Sequence, residues 1–144
     1  MIEQDTVKLL RECDAGVKMG VSSIGDVLGR VRSPKLETLL TDCKREHEAL
    51  GGEIRRALER FHDEGRDPGA VATVMTELKT GLKLAADGTD AAVAELMTDG
   101  CNMGVKSLSR YLNQYKAADE SAKDVAKRLI ALEAGLSESM RDYL

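Results

Sequence analysis

Aromatic residues are nearly missing from this chain. Phe61, Tyr111, Tyr115 and Tyr143 are the only ones in 144 residues, and tryptophan is absent. Any core must therefore be built from Leu, Val, Ile, Met and Ala. Proline is equally scarce, with only Pro34 and Pro68, so long stretches are free of the residue that breaks helices. Three cysteines are an odd number and too few for the disulfide framework of a small secreted domain. The expected compartment is the cytoplasm, with the thiols reduced. An excess of positive charge is lacking too: the net charge of −4 leaves no basic stripe, and no nucleic-acid partner is expected. No apolar run approaches the ~20 residues of a membrane span, so no membrane partner is expected. The opening Met1-Ile2-Glu3-Gln4-Asp5 is acidic, without the basic start and apolar segment of a signal peptide.

What is present is helical periodicity. Hydrophobic residues make up 42% of the chain and charged residues 32%, a balance that suits one soluble domain over 1–144 with a single core. Val7, Leu10, Cys13, Val17, Val21, Ile24, Leu28 and Val31 advance by threes and fours, predicting a first helix from Glu3 to Arg32. Ser33-Pro34 reads as an N-cap with proline at the first helical position. A second stripe follows at Leu36, Leu40, Cys43, His47, Leu50, Ile54, Leu58 and Phe61. So short a joint requires the two helices to lie antiparallel. Glu64-Gly65-Arg66-Asp67-Pro68-Gly69 is the strongest break. Beyond it a shorter amphipathic helix is predicted over Val71–Ala85. Thr89 then caps a helix carrying Val93, Met97, Cys101, Leu108 and Leu112, and the pattern resets near Ala117-Ala118-Asp119 into a last helix ending near Tyr143.

One element occurs twice: Cys13-Asp14-Ala15-Gly16-Val17-Lys18 and Cys101-Asn102-Met103-Gly104-Val105-Lys106. The same alignment places Ser33 over Ser121 and, with one added residue, His47 over Leu136. The chain thus reads as an internal repeat of two hairpins. Neither hairpin can bury its own apolar stripe, so the two are expected to pair as an all-α four-helix bundle, joined by the short crossover helix in a pseudo-twofold arrangement.

Two helical hairpins joined by a crossover, with Cys13-Asp14-Ala15-Gly16 and Gly100-Cys101-Asn102-Met103-Gly104 at the centres of the first helix of each half, resemble the ferritin-like superfamily. The resemblance is nearest to small bacterial ferritin-like proteins carrying an Asp-Gly-Glu-like centre there. It implies a di-iron site built from a Glu on each of two helices and a Glu-x-x-His on each of the others. Carried over residue by residue, that ligand set mostly fails. Gly16 and Gly104 stand where a carboxylate is expected, Lys44 lies three residues before His47, and Leu136 occupies the position matching His47, with Glu133 three before it. One His and one Glu survive. The expectation is a bundle that has lost its di-iron site, with no cofactor and no catalytic residues, acting as a structural or interaction protein. The alternative is an iron or zinc site, or an oxidoreductase, around His47 and Glu133.

His47 is expected to be a buried, hydrogen-bonded core histidine. Cys43 precedes it by one turn, but two ligands do not complete a metal site. A rise of 1.5 Å per residue places Cys13 and Cys43 roughly 15 Å apart along the hairpin, with Cys43 level with Ile24 and Cys13 level with Ile54. Three separate buried thiols are expected. Glu12, Asp14, Glu46, Glu48, Glu95, Asp99 and Glu133 are expected on solvated faces, and His62 at an exposed helix end. Glycines 16, 20, 25, 29, 51, 52, 100 and 104 allow either close helix approach or a central cavity for a small ligand. No Gly-rich phosphate loop and no Ser-His-Asp or Cys-His arrangement is present. The glycine-rich faces and the crossover helix predict a homodimer.

Overall fold

The computed structural model describes residues 2–65 and 89–144, and among them every regular element is helical. Helix α1 spans Ile2–Leu28, α2 Pro34–Glu59, α3 Asp90–Gln114 and α4 Glu120–Met140, followed by a 3-10 turn at Arg141–Tyr143. The crossover helix expected over Val71–Ala85 lies outside the described residues.

The helix starts follow the expected chemistry. Ser33 Oγ accepts from the Leu36 N–H at 3.3 Å and Thr89 Oγ1 from the Ala92 N–H at 3.2 Å, each satisfying a donor that the helix itself leaves without a partner. Asp119 Oδ1 does the same for Ala122 at 2.8 Å, which fixes the joint before α4. The end of α2 is a Schellman turn: Asp63 N–H reaches the Leu58 carbonyl at 3.1 Å and His62 N–H the Glu59 carbonyl at 3.0 Å. His62 takes the left-handed position at φ 55, where glycine is the usual occupant.

Helix α1 stops at Leu28, short of the predicted Arg32. Past Gly29 the chain tightens, with Arg30 N–H on the Val27 carbonyl at 2.9 Å and Val31 N–H on the Leu28 carbonyl at 3.3 Å, and the joint that follows is held from another helix. Asp90, the first residue of α3, accepts from Arg32 N–H at 2.8 Å and from Ser33 N–H at 3.0 Å, drawing both off the helical ladder. The other end carries the converse tie. Ala117 N–H donates to Asp5 at 3.0 Å and Asp119 N–H to Thr6 Oγ1 at 2.8 Å, joining the α3–α4 connection to the start of α1.

These ties set the directions. Helix α3 begins beside the α1–α2 joint and ends beside the start of α1, so α1 and α4 run one way and α2 and α3 the other. Helices α2 and α3 consequently end and begin at opposite ends of the molecule. Helix α1 packs on α2, α3 and α4, and α4 also packs on α2 and α3. The four form a bundle in which α1 and α4 make the close diagonal.

The interior divides into two apolar clusters. One holds Leu9, Cys13, Ile54, Leu58 and Leu129, and the other holds Ile24, Leu36, Leu40, Cys43 and Met140. Full burial of side chains of this size stabilises by about 1.5–3 kcal/mol each. Between the two clusters, at the level of Gly20 on α1, the core turns polar.

Candidate functional site

The stripe of α2 that buries Leu40, Cys43, Leu50 and Ile54 also buries His47 completely. From α4, Glu133 enters the same level, with 8% of its surface exposed. His47 Nε2 and Glu133 Oε1 are 2.8 Å apart. The other ring nitrogen, Nδ1, lies 2.8 Å from the Cys43 carbonyl, one helical turn back, and 3.5 Å from the Cys43 thiol. A carbonyl only accepts, so Nδ1 carries a hydrogen. The second ring hydrogen is then shared with the carboxyl group of Glu133. Burial draws the imidazole toward its neutral form, but the hydrogen bonds to Cys43 and Glu133 and the Glu133 charge outweigh it. The His47 pKa is raised to about 10. At neutral pH the His47 ring is therefore held as an imidazolium.

Helix α1 makes room for this pair through Gly20. A Cβ there would stand 2.6 Å from His47 Cδ2 and 2.7 Å from Nε2, inside the contact distance that any side chain tolerates. Gly16 and Gly104, the glycines of the duplicated element, both lie against α4. A Cβ on Gly16 would be 3.5 Å from Leu129 and one on Gly104 3.6 Å from the Glu133 carboxyl carbon, both ordinary contacts.

Glycines of α1 and α3 also line a cavity of about 130 Å³ between those helices. Its walls are mostly apolar, including Ala15, Ile24, Met97 and Leu108, and the exposed Met103 stands at its edge. His47, Glu133 and Leu136 reach it from the far side, so the ion pair forms its floor. The Cys101 thiol is part of the lining, near Glu133. Burial and the Glu133 charge push its pKa far up. Cys13, in the other cluster, is pushed up to about 12 by burial and by Glu12 and Asp14. Both thiols are protonated at neutral pH and are poor nucleophiles.

The placement of the sequence candidates is thus mixed. His47 is buried and hydrogen-bonded as expected, and all three cysteines are buried free thiols, Cys13 in a different cluster from Cys43 and Cys101. Glu46, Glu48, Glu95, Asp99 and His62 are exposed and Glu12 is half-buried. Two carboxylates depart from the solvated-face expectation. Asp14 is buried, paired with Lys18 at 2.8 Å, and Glu133 is buried on His47. The signal for Glu133 was its spacing: Ala126, Leu129, Leu136 and Met140, at i−7, i−4, i+3 and i+7, are all buried. Asp14 likewise sits four residues after Leu10 and three before Val17, both core residues.

The di-iron centre implied by the ferritin-like resemblance does not fit these residues. Both His47 nitrogens are engaged by protein groups. Among the described residues no three His, Cys, Asp or Glu side chains form a group that could hold a metal ion. No protein-family model, no curated protein and no solved structure matches the chain. The described residues define an all-helical bundle, and none of its helices is long and apolar enough to cross a membrane.

Proposed function

We propose that the chain is a non-catalytic, ferritin-like binding protein that has exchanged a di-iron centre for the His47–Glu133 pair and takes a small molecule into the α1–α3 cavity. The cavity, with a built polar floor beneath mostly apolar walls, carries this reading. An engineered apolar cavity of about 150 Å³ is large enough to hold benzene, and the space here is of that order. The ferritin-like assignment, the internal repeat and the crossover are part of the proposal. They are supported by the parallel course of α2 and α3 and by the reciprocal ties at the two ends. A cytoplasmic homodimer, associating through a helix face, completes it, and light scattering at high concentration tests that association.

The competing reading is an iron or zinc protein using His47 and Glu133. It would require each side chain to release the other and find further ligands. Purified protein is expected to bind toluene, read as shifts of the Met97 and Leu108 methyl signals. Gly100→Leu should abolish those shifts with the helical circular dichroism unchanged. A Cβ at Gly100 meets nothing within 4 Å although the residue lines the cavity, so the new side chain has room to fill it. Stoichiometric iron or zinc, or catalytic iron oxidation, would overturn the non-catalytic assignment. Toluene binding that Gly100→Leu leaves intact would overturn the cavity.

A further inference from the structure

Resting on that reading, we infer that the ligand is a neutral or cationic molecule of about one aromatic ring, anchored by an N–H or O–H donor on Glu133. The hydrogen-bonding capacity of the floor points to this class. The His47 ring has nothing left to offer, with Nδ1 engaged at the Cys43 carbonyl and Nε2 at Glu133. A carboxylate has about four acceptor positions on its two oxygens. His47 takes one, on Oε1. The second oxygen, Oε2, is directed toward α3, 3.7 Å from where a Cβ on Gly104 would lie, and Gly104 lines the cavity. A ligand reaching the floor therefore meets an acceptor with capacity to spare.

The charges around the cavity agree. Glu12 and Glu133 are its two carboxylates, His47 is its one cation, and among the described residues neither Lys nor Arg contributes to the lining. An anionic ligand would bring a like charge onto Glu133, which is itself buried. It would find no unengaged cation to offset this. A ligand with no polar group would fill the volume but give the spare acceptor of Glu133 no donor.

The test is a set of ring compounds of matched size, titrated by calorimetry into the intact chain. Phenol and benzylamine are expected to bind at least tenfold more tightly than toluene and anisole, which lack a donor, and benzoate is expected to bind weakest. Glu133→Gln keeps the shape of the floor but replaces one acceptor oxygen with a donor amide. It should reduce the preference for phenol over toluene to under threefold. Equal binding of all five compounds by the wild-type chain, or benzoate binding best, would overturn the ligand class while leaving the cavity reading intact. Failure of every compound, toluene included, would overturn the cavity reading itself. Should Glu133→Gln not fold, judged by circular dichroism, the wild-type ranking decides the question alone.

Discussion

Gly20 and His47 show how much one atom decides at this level of the core. A methyl group on Gly20 cannot coexist with the imidazole ring, and the ring cannot move without leaving Glu133 as an unpaired buried charge. Gly20→Ala is expected to destabilise by about 3–5 kcal/mol, the cost of breaking a buried pair. Gly135→Ala, on α4 with nothing within 4 Å of its new Cβ, should instead stabilise by about 0.5–1 kcal/mol, because glycine is the weaker helix former. Urea midpoints of the two variants measure the contrast. The same pair has a pH signature. The folded-state pKa of His47 is raised above the unfolded value of about 6.5, so its contribution is fully present below that value. It is lost as the pH rises toward 10. Between pH 6.5 and 9 the wild-type unfolding free energy should fall, and His47→Gln should flatten that slope. An equal slope in both proteins would mean that His47 does not bind its proton more tightly when folded. The sequence revealed His47 as a core residue because it stands in an unbroken apolar stripe. It brought Glu133 together with His47 only as an alternative metal site, and placed it on a solvated face, because a carboxylate reads as solvated until the partner that neutralises it is known.

At the scale of elements, local chemistry was legible and distant chemistry was not. Ser33, Pro34 and Thr89 mark their helix starts by residue type alone, and the structure places those caps where the text does. The joint after α1 is different, since it is held by Asp90, far along the chain, capturing the N–H groups of Arg32 and Ser33. Periodicity carried the helix on to Arg32, past Gly29, a residue type that often follows a helix end. Asp90 thus acts on two hairpins at once, starting one and closing the joint of the other. Asp90→Ala should cost about 1–3 kcal/mol, the range for hydrogen bonds to a charged group. Asp90→Asn should recover part of that loss by keeping one acceptor. Thermal melts of the two variants give the comparison. Equal melting for Asp90→Ala and the wild type would show that the joint holds without α3.

Across the whole molecule, the all-helical architecture and the pairing of hairpins could be anticipated because four long amphipathic stripes admit few other solutions. The cavity could be anticipated only as one of two outcomes for the same glycines. Close approach won at Gly20, and open space won at Gly100. Which outcome holds at each position depends on the side chain opposite, which spacing along one helix does not encode. The His47–Glu133 contact has a further consequence. Most of the core is Leu, Val, Ile, Met and Ala, shapes that can interdigitate at several offsets along a bundle. Gly20, His47 and Glu133 come from three different helices and meet at one point. Sliding any of the three by a single turn separates them and strands a charge in the interior. The contact is therefore an index mark for helix register, a role in specificity that buried polar pairs fill in some proteins. Replacing both partners, as His47→Leu with Glu133→Leu, should keep or raise the melting temperature yet broaden the methyl spectrum as neighbouring offsets become populated. A sharp spectrum from that double variant would show that shape alone holds the helices in place.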